Sequence, residues 1–217
     1  MNALITYTFL FVHGIAVTAA AWIVASCVSM LVGTVFGMLS CRYSAWPSLG
    51  GAIGVYTFVT KGIPAYVQIL IAYFIIPSLL GIQIPGFVAA TGALAFCSSG
   101  YVTEIVRAGI NAVPAGQWDA CAVLGYSFSA TMGRIIMPQA LANMAPALFG
   151  ECEQLLKSTS LLATIGITEL TRTGMNIISR ELNPVPVYVA IACIYLLFSA
   201  LLNIALRCVE GRFNGQR

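Results

Sequence analysis

Apolar positions in this chain fall in long uninterrupted blocks, and the few charged positions mark where the blocks end. Each ionised group held at mid-bilayer costs roughly a few kcal/mol on insertion scales, so charges are expected at the edges of membrane spans. No charged residue precedes Arg42, and residues 13–40 read as a first span. Thr18, Ser26 and Ser29 are expected to bond within that helix, and Gly33 and Gly37 have the small-xxx-small spacing that lets two helices approach closely. Residues 46–60, moderately apolar and carrying Pro47, Gly50, Gly51 and Gly54, suggest a short interfacial segment leading into a second span over about 57–76. Pro77 and Pro85 bracket the next turn. A third span covers about 86–110, a fourth about 143–164 and a fifth about 185–206. The fourth is interrupted by Glu151, Glu153 and Lys157.

Composition agrees with this reading. The chain is 59% hydrophobic and 8% charged, against about 25% charged in soluble domains, so it cannot cover a water-facing surface. At about 20 residues per helical span, its 217 residues leave room for roughly five or six crossings in one domain (1–217) and for no soluble catalytic domain. The start, "MNALITYTFLFVHG", has neither a basic segment nor a small-residue cleavage site, so the first span is expected to be retained. The seven cysteines form no CxxC pair, and in apolar runs a thiol behaves as a small hydrophobe; neither metal nor disulfide chemistry is expected of them.

Five crossings put the termini on opposite sides. Arg42, Arg107, Arg134, Arg207, Arg212 and Arg217 fall on the side of the loop between the third and fourth spans, whereas Arg172 and Arg180 fall opposite. By the positive-inside rule that loop and the C-terminus are expected to be cytoplasmic and the N-terminus outside.

The loop itself, about 114–139, contains "GQWDACAVLGYSFSATMGRIIMPQA" and reads as helix, break, helix. A helix over 119–124 ends at Gly125, suited to left-handed geometry at C′, and Ser127 or Ser129 caps the next. Pro138 marks a turn back toward the membrane. Two uses are open from periodicity alone: a knob that docks in a groove of another protein, or a connector lying on the membrane surface.

The remaining charges pair by spacing. Glu104 and Arg107 (i, i+3) can neutralise one another, either as a structural pair or as part of an inner gate. Glu153 and Lys157 (i, i+4) have the favourable acid-first orientation. Glu151 has no obvious partner. Intramembrane ionisable groups tend to face cavities and mark substrate paths, so Glu151 or Glu153 is a candidate contact for a substrate ammonium, with helix packing or pairing to a partner subunit as the alternative. Lys61 reads as a membrane-edge anchor whose stem can snorkel. Pro64 is expected to open or kink the second span. His13, alone at a span edge, has a structural reading.

Four stretches carry a resemblance. Asp119-Ala120-Cys121, then Gly125, then Ile135, Met137 and Pro138 resembles the EAA motif of ABC importer permeases, with Asp119 for Glu, Cys121 for Ala and Met137 for Leu. "KGIPAYVQILIAYF", "GYVTEIVRAGINAVPAGQWDA" and "ECEQLLKSTSLLATIGITEL" resemble, in order, three further segments of the permease branch for polar amino acids. In the first of these Lys61 replaces the family's arginine, and Glu153 stands where the family usually has an apolar residue. The resemblance implies an all-α membrane protein with the type I ABC importer permease fold, in a bacterial cytoplasmic membrane. It also implies two cytoplasmic ATPase subunits that hold ATP and Mg, a second permease subunit (identical or related) and an extracytoplasmic solute-binding protein. The 114–139 loop would then be the element that couples to the ATPase. The chain contains no G-x-x-x-x-G-K-[ST] phosphate loop and is expected to have no catalytic residues, metal or cofactor of its own and no nucleic-acid partner. The rival reading is a small ion-coupled secondary transporter, for which internal repeats and broken helices around a midplane site would be wanted; no clear repeat is visible. A membrane enzyme or scaffold would need a His/Asp/Glu cluster that the single histidine and scattered acids do not provide.

Overall fold

The computed structural model describes residues 2–44 and 46–214, with side chains over 7–44 and 46–208. Of the cations used to orient the chain, the Arg212 side chain and Arg217 lie outside the described residues. Among the described residues the chain is helical with no strand.

Helix α1 (Asn2–Leu39) starts well before residue 13, because nothing in the preceding apolar residues breaks it. Its 38 residues reach about 57 Å at 1.5 Å per residue, more than the ~30 Å hydrocarbon core. It lies along α5 (Gly86–Asn111), the central helix, which also packs against α2 (Leu49–Gly62), α3 (Ala65–Leu70) and α8 (Met137–Ser158). The expected small-residue seam is the reason: a Cβ on Gly33 would stand 2.5 Å from Val102 Cβ, and one on Gly37 2.6 Å from Val106 Cβ. Of the in-helix hydroxyl bonds expected, Ser29 makes one to Ser26 O at 3.1 Å. Thr18 instead accepts from the Leu170 N–H at 3.0 Å, tying α1 to a distant element.

The second span is broken rather than preceded by a separate interfacial helix. Segments Leu49–Gly62 and Ala65–Leu80 meet at 97°, with Pro64 at the corner. Pro77 and Pro85 bracket the turn as expected: Pro77 sits at the start of α4 (Ile76–Leu80), after a wide π-type stretch at Ile71–Ile75, and Pro85 directly precedes α5. The turn lies between them, at Gly81. The wide stretch before a proline recurs at Pro138. After α6 (Ala115–Val123) and α7 (Phe128–Thr131), a π-type stretch at Met132–Ile136 runs straight into α8. The Met137 N–H bonds back five residues to Met132 O, and the wide turn accommodates a proline that donates no N–H and would clash in a regular helix. The expected turn at Pro138 is therefore a continuous helix.

Three helices are long and apolar enough to cross a membrane, at Tyr7–Leu39, Gly86–Asn111 and Pro184–Cys208, and the bent pair taken as one span brings the number to four, against the five expected. Helix α8 has the length, at 22 residues, but carries Glu151, Glu153 and Lys157. A 3₁₀ turn (Thr159–Ile165) then leads to α9 (Leu170–Glu181), a strongly amphipathic helix for which the sequence reading had no element, and to α10 (Pro184–Asn214). Helix α9 is strapped to α1 by the Thr18 bond, by Gly14 against Thr173 and by a Tyr7–Glu181 hydrogen bond.

Candidate functional site

Two features stand out on this scaffold. The first is the loop between α5 and α8. Helix α6 ends with the Tyr126 N–H bonding to Cys121 O at 3.0 Å and the Gly125 N–H to Ala122 O at 3.1 Å, the paired pattern of a Schellman cap. Gly125 takes φ +72° with nothing within 4 Å of an added Cβ, so backbone conformation, not space, requires glycine here. Ser127, of the two serines weighed, is the N-cap of α7, its Oγ accepting from the Ala130 N–H at 3.3 Å. Cys121 and Trp118 face inward, and Trp118 stacks on Tyr43 with ring centroids 4.3 Å apart. The tip is exposed yet apolar: Val123 is 87% exposed and Leu124 72%, beside exposed Tyr126 and Phe128. Asp119, Ala120, Gly125 and Pro138 are also exposed, whereas Ile135 and Met137 are half-buried against the cluster around Val106, Ile136 and Met144.

The second feature is a cavity of about 350 Å³ at the corner of the broken span, largely apolar but with Lys61, Ser98, Tyr101, Glu151 and Gln154 among its lining residues, beside Pro64. The corner is built locally. Thr60 occupies the place a Cβ on Gly100 would take, so only glycine lets the end of α2 close on α5. Pro64 interrupts the backbone ladder, and Gln68 fills in: its Nε2 donates to Thr60 O at 2.8 Å and to Ile63 O at 2.7 Å. Gln68 was missed in the sequence, although a glutamine four residues after a proline inside an apolar run is a legible signal for a side chain capping freed carbonyls.

The two candidate acids separate. Glu151 lines the cavity and accepts from Ser98 Oγ at 2.7 Å. Glu153 is engaged elsewhere, by Lys157 Nζ at 2.7 Å as the spacing predicted, and by Asn203 Nδ2 of α10 at 3.4 Å. Glu104 holds Arg107 at 3.0 Å, also as predicted, and a second cation, Lys61, at 3.8 Å. The seven cysteines are free thiols.

A bundle around a small-residue seam, with a broken span opening a cavity that holds polar side chains and a helical knob at one end, defines an integral membrane protein of the permease class. Residues 29–215 match the family described as binding-protein-dependent transport system inner membrane component, and the chain belongs to that family. It is 32% identical over 200 residues to the arginine transport system permease protein ArtQ of Bacillus subtilis (strain 168), covering 92% of this chain and 90% of that one. Among solved structures it resembles an amino acid ABC transporter crystallised with histidines, at 33% identity and a TM-score of 0.86, with 97% of each chain covered. The inward-facing MetNI methionine ABC transporter shares the fold, with a TM-score of 0.83 at 16% identity over 95% of this chain and 97% of that chain.

Proposed function

We propose that this chain is the membrane-spanning permease subunit of an ATP-binding-cassette importer that moves polar amino acids across a bacterial cytoplasmic membrane. With α8 (Met137–Ser158) counted as the fifth crossing beside the four candidate spans, the N-terminus faces outward and the C-terminus inward. The chain performs no bond chemistry. ATP and Mg bind on two cytoplasmic ATPase subunits, a second permease (identical or related) completes the path, and an extracytoplasmic binding protein delivers the solute.

The observation that carries this reading is the α6–α7 knob, whose exposed Val123, Leu124, Tyr126 and Phe128 form an apolar tip on an ordered, capped scaffold. Exposed apolar patches on ordered surfaces mark interaction sites, and a short helix with an apolar face suits a groove on a partner. Asp119, Ala120, Cys121, Gly125, Ile135, Met137 and Pro138 shape and anchor that knob as the coupling element. Closure of the ATPase dimer would draw two such knobs together and rotate the spans as rigid bodies. The cavity at the corner of the broken span is the solute path, with Glu151 rather than Glu153 meeting the ammonium. The Glu104–Arg107 pair lies next to it as a candidate gate.

The test is uptake in proteoliposomes holding the complete complex. Transport should require ATP inside and persist when proton and sodium gradients are collapsed. Uptake that survives without ATP but stops with the gradient would establish the ion-coupled alternative instead.

A further inference from the structure

We propose that Lys61 is the carboxylate-binding group of the cavity, so that the site takes an α-amino acid as a zwitterion, its ammonium on Glu151 and its carboxylate on Lys61. This rests on the reading of the cavity as the solute path and names what that path recognises.

The argument is one of charge accounting. Glu104 is already neutralised by Arg107 at 3.0 Å, and Lys61 stands off it at 3.8 Å. Three ionised groups at that corner therefore sum to one uncompensated positive charge. Lys61 also lies 5.7 Å from the Tyr101 ring centroid, a weak contact for a cation. In the same cavity Glu151 is held by the neutral Ser98 hydroxyl, and no described ion pair includes it. Lys61 and Glu151 line the same space without pairing with each other. A cavity of about 350 Å³ lined both by a cation that shares its one carboxylate with Arg107 and by an anion in no described ion pair is complementary to a small dipolar ion. An amine without a carboxylate would satisfy Glu151 and leave Lys61 as it was.

A membrane-edge anchor would send its ammonium toward headgroups. The Lys61 ammonium instead lies 3.8 Å from Glu104 Oε2 and 5.7 Å from the Tyr101 ring centroid, and the residue lines the cavity. The second cavity it lines, with Glu104, lets it exchange one carboxylate for another through a side-chain rotation. Lys61 is thus the group that would distinguish a loaded path from an empty one.

The experiment measures equilibrium binding of radiolabelled L-arginine, L-histidine and L-glutamine to the purified permease–ATPase complex without binding protein, with their α-amides as competitors. The complex should bind at least one of the three and prefer it over its amide tenfold or more. K61Q should weaken binding at least tenfold and abolish that preference, and K61R should retain most of both. Co-purification of ATPase with each variant reports intact assembly. A K61Q complex that still prefers the free carboxylate overturns the role of Lys61. If E151Q also binds as the parent does, or if no member of the panel binds, the cavity is not the solute path and the underlying reading fails with it.

Discussion

At the scale of single residues, the positions that decide behaviour are those whose conformation or burial admits few substitutes. Gly125 is one: at φ +72° an L side chain costs roughly 1–2 kcal/mol. A Gly125→Val variant should insert normally yet lose most ATPase co-purification or uptake, because the tip is re-aimed rather than crowded; normal coupled uptake would refute the coupling role. Glu169 is another. It is fully buried and caps α9, accepting from the Arg172 N–H at 2.7 Å, the Thr171 N–H at 2.8 Å and the Tyr195 hydroxyl at 3.3 Å. Burial pushes its carboxyl above the ordinary range, and the donated hydrogen bonds pull it part of the way back. A folded-state pKa above the unfolded one means that the folded chain binds the proton more tightly. Glu169's contribution to stability therefore declines as pH rises from the ordinary carboxylate range through the raised value. Glu169→Gln, which keeps an acceptor at the cap, should flatten that slope in thermal unfolding measured across pH. Glu169→Ala should cost about 1 kcal/mol for the lost cap.

Between elements, the α1–α5 seam and the α6 anchor were legible to different degrees. The Gly33–Gly37 spacing announced a close helix contact, and α1 meets α5 there with Val102 and Val106 filling the space the glycines leave. A Gly37→Leu change should overpack this seam, costing about 1–3 kcal/mol, seen as a lower melting temperature in detergent. The partner helix could not be read, because a small-residue face fits any other helix face equally well. The Tyr43–Trp118 stack was not legible at all, since 75 positions of sequence hide a contact made only when α1, α5 and α6 assemble. It ties the knob to the α1–α2 connection, where the Arg42 N–H also bonds Asn111 Oδ1 at 2.9 Å. Trp118→Ala should leave ATPase bound but reduce solute-stimulated ATP hydrolysis severalfold, with Trp118→Phe closer to the parent. Pro138 shows the opposite case: it reads as a turn, yet a wide helical turn before it absorbs the missing donor.

For the whole molecule, hydropathy ranks the helices in the reverse order of their burial. The window in α5 has mean hydropathy 1.2 and is 61% buried, whereas that in α10 has 2.4 and is 6% buried. Lipid is as apolar as leucine and supplies no drive to bury it, so the centre goes to the helix that can pack closest. Helix α5 does so with Gly100, Ser99 and Thr103, whose hydroxyls bond back to Phe96 O at 2.6 Å and Ser99 O at 2.7 Å. Leu196→Ala on the outer face of α10 should change stability by less than about 0.5 kcal/mol, whereas Leu94→Ala on α5 should cost about 2–5 kcal/mol; chemical unfolding of the two variants compares them directly. The amino-acid order alone determined the membrane class, most span positions, the capped loop and the Glu104–Arg107 and Glu153–Lys157 pairs, because each depends on spacing within one segment. Only the tertiary structure decided that α5 is central, that Glu151 and not Glu153 meets the cavity, and that Lys61 lines the same cavity. Those are relations between segments, fixed when backbones approach at Gly33, Gly37 and Gly100, and periodicity along one helix carries no record of what lies opposite it.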